Sequence, residues 1–244
     1  MQAHLAPTVA SLGTDLRSIL DRLHREGWQA VQLSAAMPGT RPRDLGSSAR
    51  RDILATLRRC ELQPAGMDLW IPGEHYIDPT TVDRVVSTID AACTLASDLG
   101  IDSLSVQLPA QDGIDPDVLE AIHSSAVRRG VLLADHRLGA ESQASFGAGL
   151  DPAACFAMDR DPVEEVISLG TRLVAPRLSD LMSTGLRGPV GSSDGRLNVA
   201  DYRAAVVTVV PEKSIALDLR QLASPWEALE AGRQAWRSAG IADA

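Results

Sequence analysis

Aromatic side chains are scarce, at 3% of 244 residues, too few for the stacking platforms that hold single-stranded nucleic acid. Positive charge is also short. Twenty-three Lys and Arg stand against 32 Asp and Glu, a formal net charge of -9. A surface of that sign is not built to neutralise a phosphate backbone, so nucleic acid is not an expected partner. The cysteines, Cys60, Cys93 and Cys155, are odd in number and lack C-x-x-C spacing. That argues against a disulfide framework or zinc knuckle and predicts reduced, buried thiols. No run approaches the roughly 18 apolar residues of a membrane span, and MQAHLAPTVA has no basic stretch ahead of an apolar one. Neither a membrane partner nor a secretory leader is expected, and a cytoplasmic location is the default.

What is present is an ordinary balance for a packed chain, 45% hydrophobic and 23% charged, in a length that suits one large domain over 1–244. Strand-like apolar runs alternate with segments of helical period. The runs are 4–10, 30–36, 64–71, 103–108, 131–137, 146–151, 173–180 and 214–220. The strongest helical stripe is Val82, Val85, Val86, Ile89, Cys93, Ala96 and Leu99, with apolar residues at i, i+3, i+4 and i+7. Asp78-Pro79, Asp115-Pro116, Asp161-Pro162 and Ser224-Pro225 each put a capping residue before a proline suited to a first helical turn. Such βα repetition predicts a parallel sheet, and eight strands in about this length predict a (β/α)8 TIM barrel. The helix between strands five and six is short or missing, because only 138–145 is available for it. That thin sector suggests a subunit contact in a homodimer.

Several runs in the C-terminal half carry an acid at or near their exit. VLLADHR, FGAGLD, LVAPRLSD and SIALDLR end near Asp135, Asp151, Asp180 and Asp218. A continuous apolar run is a strand covered on both faces. Carboxylates where such strands emerge lie on the face that carries chemistry in barrel enzymes.

The layout of DLRSILDRLHREGWQAVQLSAA, DPTTVDRVVSTIDAACTLASDLGIDSLSVQLP, LLADHR, GLDPA, RLSD and VGSSDGRLNVADYRAAV resembles the xylose isomerase-like barrels, which include sugar epimerases, hydroxypyruvate isomerase and inosose dehydratase. That resemblance implies a divalent ion, Mn or Mg, held by Glu, Asp, His and Glu at four strand ends. Carried over by motif, these positions are Asp135, Asp151, Arg177 and Asp218. Asp135, Asp151 and Asp218 are therefore the candidate metal ligands. Asp is shorter than Glu by one methylene, and arginine has no lone pair to give a metal. The expected outcome is an Arg177-centred cluster with Asp135, Asp151 and Asp218, and a metal dependence that is impaired or lost.

The resemblance also implies proton transfer next to a carbonyl on a small polyhydroxylated substrate. Such chemistry needs two bases and a fixed positive charge near the oxygens. Asp135 and Asp218 are the candidate bases and Arg177 the candidate electrophile. An adjacent arginine, however, lowers the pKa of an aspartate. Candidate substrate-binding residues are Trp70, on whose ring a sugar can stack, His75 in the loop after strand three, Asp180 and His136. The glycine-rich segment 184–198 follows strand seven, where barrels often bind phosphate, and carries Arg187 and Arg196 as its cations, but it lacks the P-loop lysine, so a mobile loop is expected rather than a phosphate cradle. The alternative function is an inactive barrel that binds a small ligand or a partner protein.

Overall fold

The computed structural model describes residues 4–109, 113–138 and 146–240. Eight parallel strands run in the order β1 (Leu5–Pro7), β10 (Ile215–Leu217), β7 (Leu173–Leu178), β6 (Gly147–Leu150), β5 (Leu132–Asp135), β4 (Ser103–Val106), β3 (Gln63–Asp68) and β2 (Ala30–Ser34). A parallel bridge between Thr8 and Gln32 brings the first strand against the second. The sheet thereby forms a nearly closed barrel. Along the chain each strand follows the one beside it, as right-handed βα crossovers require.

Helices α1 (Leu16–Arg25), α2 (Ser47–Arg59), α4 (Val82–Asp98), α5 (Pro116–Arg129), α7 (Pro162–Leu169), α8 (Val199–Val209) and α9 (Pro225–Ala239) accompany the sheet. The predicted stripe of α4 buries Val85, Ile89, Cys93 and Ala96, each large aliphatic side chain contributing about 1.5–3 kcal/mol. Asp115 and Asp161 cap α5 and α7 through their carboxylates, as expected. Asp78 instead accepts from the Thr80 amide in the turn ahead of α4, whose N-cap is Thr81. Ser224 makes no side-chain cap hydrogen bond. Gly130 ends α5 at φ 65°, a left-handed conformation that glycine adopts without a Cβ clash.

Three short elements go beyond the sequence pattern: α3 (Glu74–Ile77), α6 (Pro152–Ala157), and an antiparallel hairpin of β8 (Asp180–Leu181) with β9 (Arg187–Gly188). The first and last have too few residues for a hydrophobic period to show. Of the sector expected to lack a helix, 139–145 lies outside the described residues. Among the described residues no helix is long and apolar enough to cross a membrane. All three cysteines are buried and free, and burial pushes the Cys93 and Cys155 thiols up to about 12.

Candidate site at the barrel mouth

Parallel strands buried on both faces are expected to be apolar throughout, yet β2, β3, β4, β7 and the segments leaving β5 and β10 bury Gln32, Asp68, Ser105, Arg177, His136 and Asp218. These side chains meet one another across the barrel. Gln32 Nε2 donates to Asp68 Oδ1 at 2.8 Å, and His136 Nε2 lies 3.1 Å from Ser105 Oγ. Arg177 pairs through Nη2 with Asp68 and through Nη1 with Asp218, the latter at 3.1 Å. A salt bridge joining strands three, seven and eight of the barrel thus crosses its interior.

Two more arginines complete the cluster. Arg187, brought in by the β8–β9 hairpin, pairs with Asp151 and lies 3.4 Å from Asp218. Arg220, two residues beyond Asp218, holds that carboxylate through both Nε and Nη2 and reaches Asp151 at 3.2 Å. Ser179 Oγ donates to Asp151 at 2.6 Å and accepts from the Ala153 amide at 3.0 Å. The Trp70 ring flanks the group, its centroid 5.0 Å from the Arg177 guanidinium carbon, 4.4 Å from that of Arg220 and 5.2 Å from the His136 ring. Tyr202 Oη, from α8, donates to the Arg177 carbonyl at 2.6 Å. Tyr202→Phe is expected to cost about 1 kcal/mol, the net worth of one buried hydrogen bond. Urea denaturation of the two proteins measures it.

The electrostatics follow from how many guanidinium groups each acid meets. Burial alone would raise Asp218, but Arg177, Arg220 and Arg187 together hold it well below the usual carboxylate range. Asp68 meets fewer cations. Burial therefore dominates, and its pKa is raised. Burial, reinforced by Arg177 and Arg220, pushes His136 well below the ordinary imidazole value and keeps it neutral. Asp218 raises Arg220 against the effect of burial.

Several sequence expectations land elsewhere. Asp135 is not among the partners of Arg177. Its carboxylate accepts from the Leu108 and Arg137 amides and pairs with Arg137 Nε at 2.6 Å. Strand alternation puts neighbouring side chains on opposite sides, and here the imidazole of His136 meets Ser105 and Trp70 while Asp135, also buried, turns toward Leu108 and Arg137. The ring packs over Gly149, where a Cβ would collide with it. Asp151 does not pair with Arg177 either, since Arg187 and Arg220 hold it. Asp180 anchors the hairpin loop, with Oδ1 accepting from the Leu181, Arg196 and Leu197 amides. His75 sits on α3, and among the described residues no hydrogen bond, ion pair or ring contact joins its side chain to the arginine cluster. Trp70 lies beside the arginine cluster, with the Arg220 guanidinium over its ring.

Asp68, Arg220 and Arg187 are the members that strand-end reasoning missed as a site. Asp68 lies inside the run PAGMDLWI and Arg220 inside SIALDLR. A charge at an inward phase of an otherwise apolar run is the signal that marks them.

The donor set does not fit a divalent ion. Among the described residues no group of three or more His, Cys, Asp or Glu side chains is arranged to hold a metal. Asp151 and Asp218, which the motif would offer, are already bonded by guanidinium groups, and a third cationic side chain stands at the ligand-histidine position.

No protein-family model matches the sequence, and no curated protein matches it. Solved structures do match. A D-tagatose 3-epimerase-like protein superimposes at TM-score 0.76 with 12% identity over the whole of both chains. A xylose isomerase domain protein from Planctomyces limnophilus does so at 0.74 and 13%, covering 100% of this chain and 98% of its own. The zinc-binding IolI protein gives 0.72 and 13%, over 99% and 97%. The fold is that of the xylose isomerase-like TIM barrels. At these identities the likeness fixes the architecture, and the chemistry rests on the residues at the mouth of this barrel.

Proposed function

We propose that the barrel acts on a small polyhydroxylated carbonyl compound as sugar isomerases and epimerases do, by proton transfer next to the carbonyl, and that it does so without a divalent ion. The observation that carries this reading is the convergence of Arg177, Arg187 and Arg220 on the mouth. Fixed guanidinium charge stabilises oxygen charge developing on an enediolate, and it needs no reorganisation when held in a salt-bridge network. A cytoplasmic setting suits three free, buried thiols.

The test is hydrogen exchange at the carbon beside the carbonyl, followed by NMR in D2O over a panel of ketoses. The expected result is exchange that persists after exhaustive chelation and falls by at least tenfold in Arg177→Met. Exchange restored only by Mn²⁺ would overturn the metal-free reading.

One observation favours a second reading, a barrel that binds such a ligand without turning it over. Asp218 is held ionised by three arginines, which makes it a weak base near neutral pH, and Asp135 is engaged by Arg137. Absence of exchange on every ketose, with binding retained, is the outcome that selects it.

A further inference from the structure

The cluster is layered. The carboxylate side chains are the floor, with Asp218 at 0%, Asp68 at 5% and Asp151 at 7% exposure, and Arg177 lies among them at 1%. Above them stand Arg187 at 16% and Arg220 at 30%. A molecule entering the mouth therefore meets guanidinium groups before it meets any acid of this cluster. These arginines come from the loops after the seventh and eighth barrel strands, where barrels commonly hold phosphate.

Their donors are not all used. Among the described residues Arg187 Nε and Arg220 Nη1 donate to no partner, because the hydrogen bonds of these side chains run through Nη1 and Nη2 of Arg187 and through Nε and Nη2 of Arg220. Deeper in, Arg177 Nε and Trp70 Nε1 are buried without a hydrogen-bond partner. Unspent N–H groups at one place call for a ligand rich in acceptors. Asp151 and Asp218 meanwhile hold the guanidinium planes in position, so little ordering entropy remains to be lost on binding.

We propose that Arg187 and Arg220 form an anion subsite and that the ligand of this barrel is a small polyhydroxylated anion, its carboxylate or phosphate gripped by these two side chains. This rests on the reading above for the place of the ligand at the barrel mouth and for its hydroxylated carbon frame, and the anionic group is inferred from the arginines alone. Guanidinium forks match either oxyanion in two-point geometry, so the two sources are separated by experiment.

Calorimetric titration of the full-length protein with D-fructose, D-gluconate and D-fructose 6-phosphate compares a neutral, a carboxylate and a phosphate ligand of similar size. At least one anion is expected to bind ten times or more tighter than D-fructose, and the tighter of the two identifies the group. Arg187→Gln is expected to remove that preference by tenfold or more, with Arg187→Lys intermediate. Arg196→Gln, whose guanidinium lies over Phe156 instead, should leave it unchanged. Near-wild-type melting of Arg187→Gln establishes that the loss is local, and Arg220→Gln gives the same comparison if that variant does not fold. Equal affinity for all three ligands, no binding of either anion, or a preference that survives both substitutions would overturn the proposal. Anion binding without hydrogen exchange would leave this inference standing and sink the isomerase reading. Exchange on neutral ketoses with no anion preference would do the reverse.

Discussion

Arg177→Met is expected to lower stability by about 3–5 kcal/mol at pH 7, because removing one partner of a buried ion pair leaves the other charge uncompensated. Arg177 is fully buried, and both of its partners, Asp68 and Asp218, are buried too. Asp218 keeps Arg187 and Arg220. Among the described residues Asp68 keeps the Gln32 amide as its side-chain hydrogen-bond donor and Arg220 as a more distant charge, so the damage falls mainly on Asp68. A destabilisation of this size corresponds to a melting temperature lower by roughly 10 °C for a domain of this length. The effect should also depend on pH. Loss of the guanidinium raises the folded pKa of Asp68 further, and a group raised on folding contributes stability below its unfolded pKa and loses it as pH rises through the folded value. The gap between variant and wild type should therefore narrow toward pH 4. Adding Asp68→Asn to Arg177→Met should restore about half of the loss or more, since a neutral amide needs no counterion. Urea unfolding of the three proteins at pH 7 and pH 4 measures all of this. An Arg177→Met protein as stable as wild type would show that the pair is not held as described.

Stability should also fall on mild acidification, through one imidazole. His136 is buried against Trp70, Ser105 and Gly149 with its folded pKa well below the ordinary value. For a depressed group the unfolded chain binds the proton first, so stability is complete above the unfolded pKa and is lost as pH drops below it. With an unfolded imidazole near 6.5, the loss approaches about 1.4 kcal/mol per pH unit, or about 2 kcal/mol by pH 5. His136→Gln should flatten this slope, because the amide can meet Ser105 without titrating. Asp218, also depressed, contributes in the same direction but only below about pH 4, the unfolded carboxylate range. Parallel pH profiles for wild type and His136→Gln between pH 7 and 5 would exclude His136 as the source.

Much of the barrel was legible because its signals are local. The stripe of α4 and the Asp-Pro caps of α5 and α7 are patterns within a dozen residues, and all three elements form where they predict. The pair Asp218 and Arg177 was legible too, since a charge in or at the end of an apolar strand has few places to go but the mouth. The partners were not. Asp68 and Arg177 are 109 residues apart, and which acid meets which arginine depends on strand order and on the shear of a closing sheet. Which of Asp135 and His136 meets Ser105 and Trp70 turns on a single step of alternation, which the run VLLADHR does not settle by itself. Arg187 reaches the mouth only because the segment after β7 folds back as the hairpin of β8 and β9, a two-residue pairing too short to leave a period in the sequence.

The sequence by itself determined a parallel (β/α)8 barrel, since apolar runs of strand length alternating with amphipathic helices have one efficient way to bury both surfaces. It also determined that charged side chains would be buried at the strand exits. Only the tertiary structure decided that these charges settle as a network in which three arginines neutralise and cover three aspartates. Electrostatic pairing acts through space, over a few ångströms between residues distant in the chain, and those distances exist only once the barrel has closed.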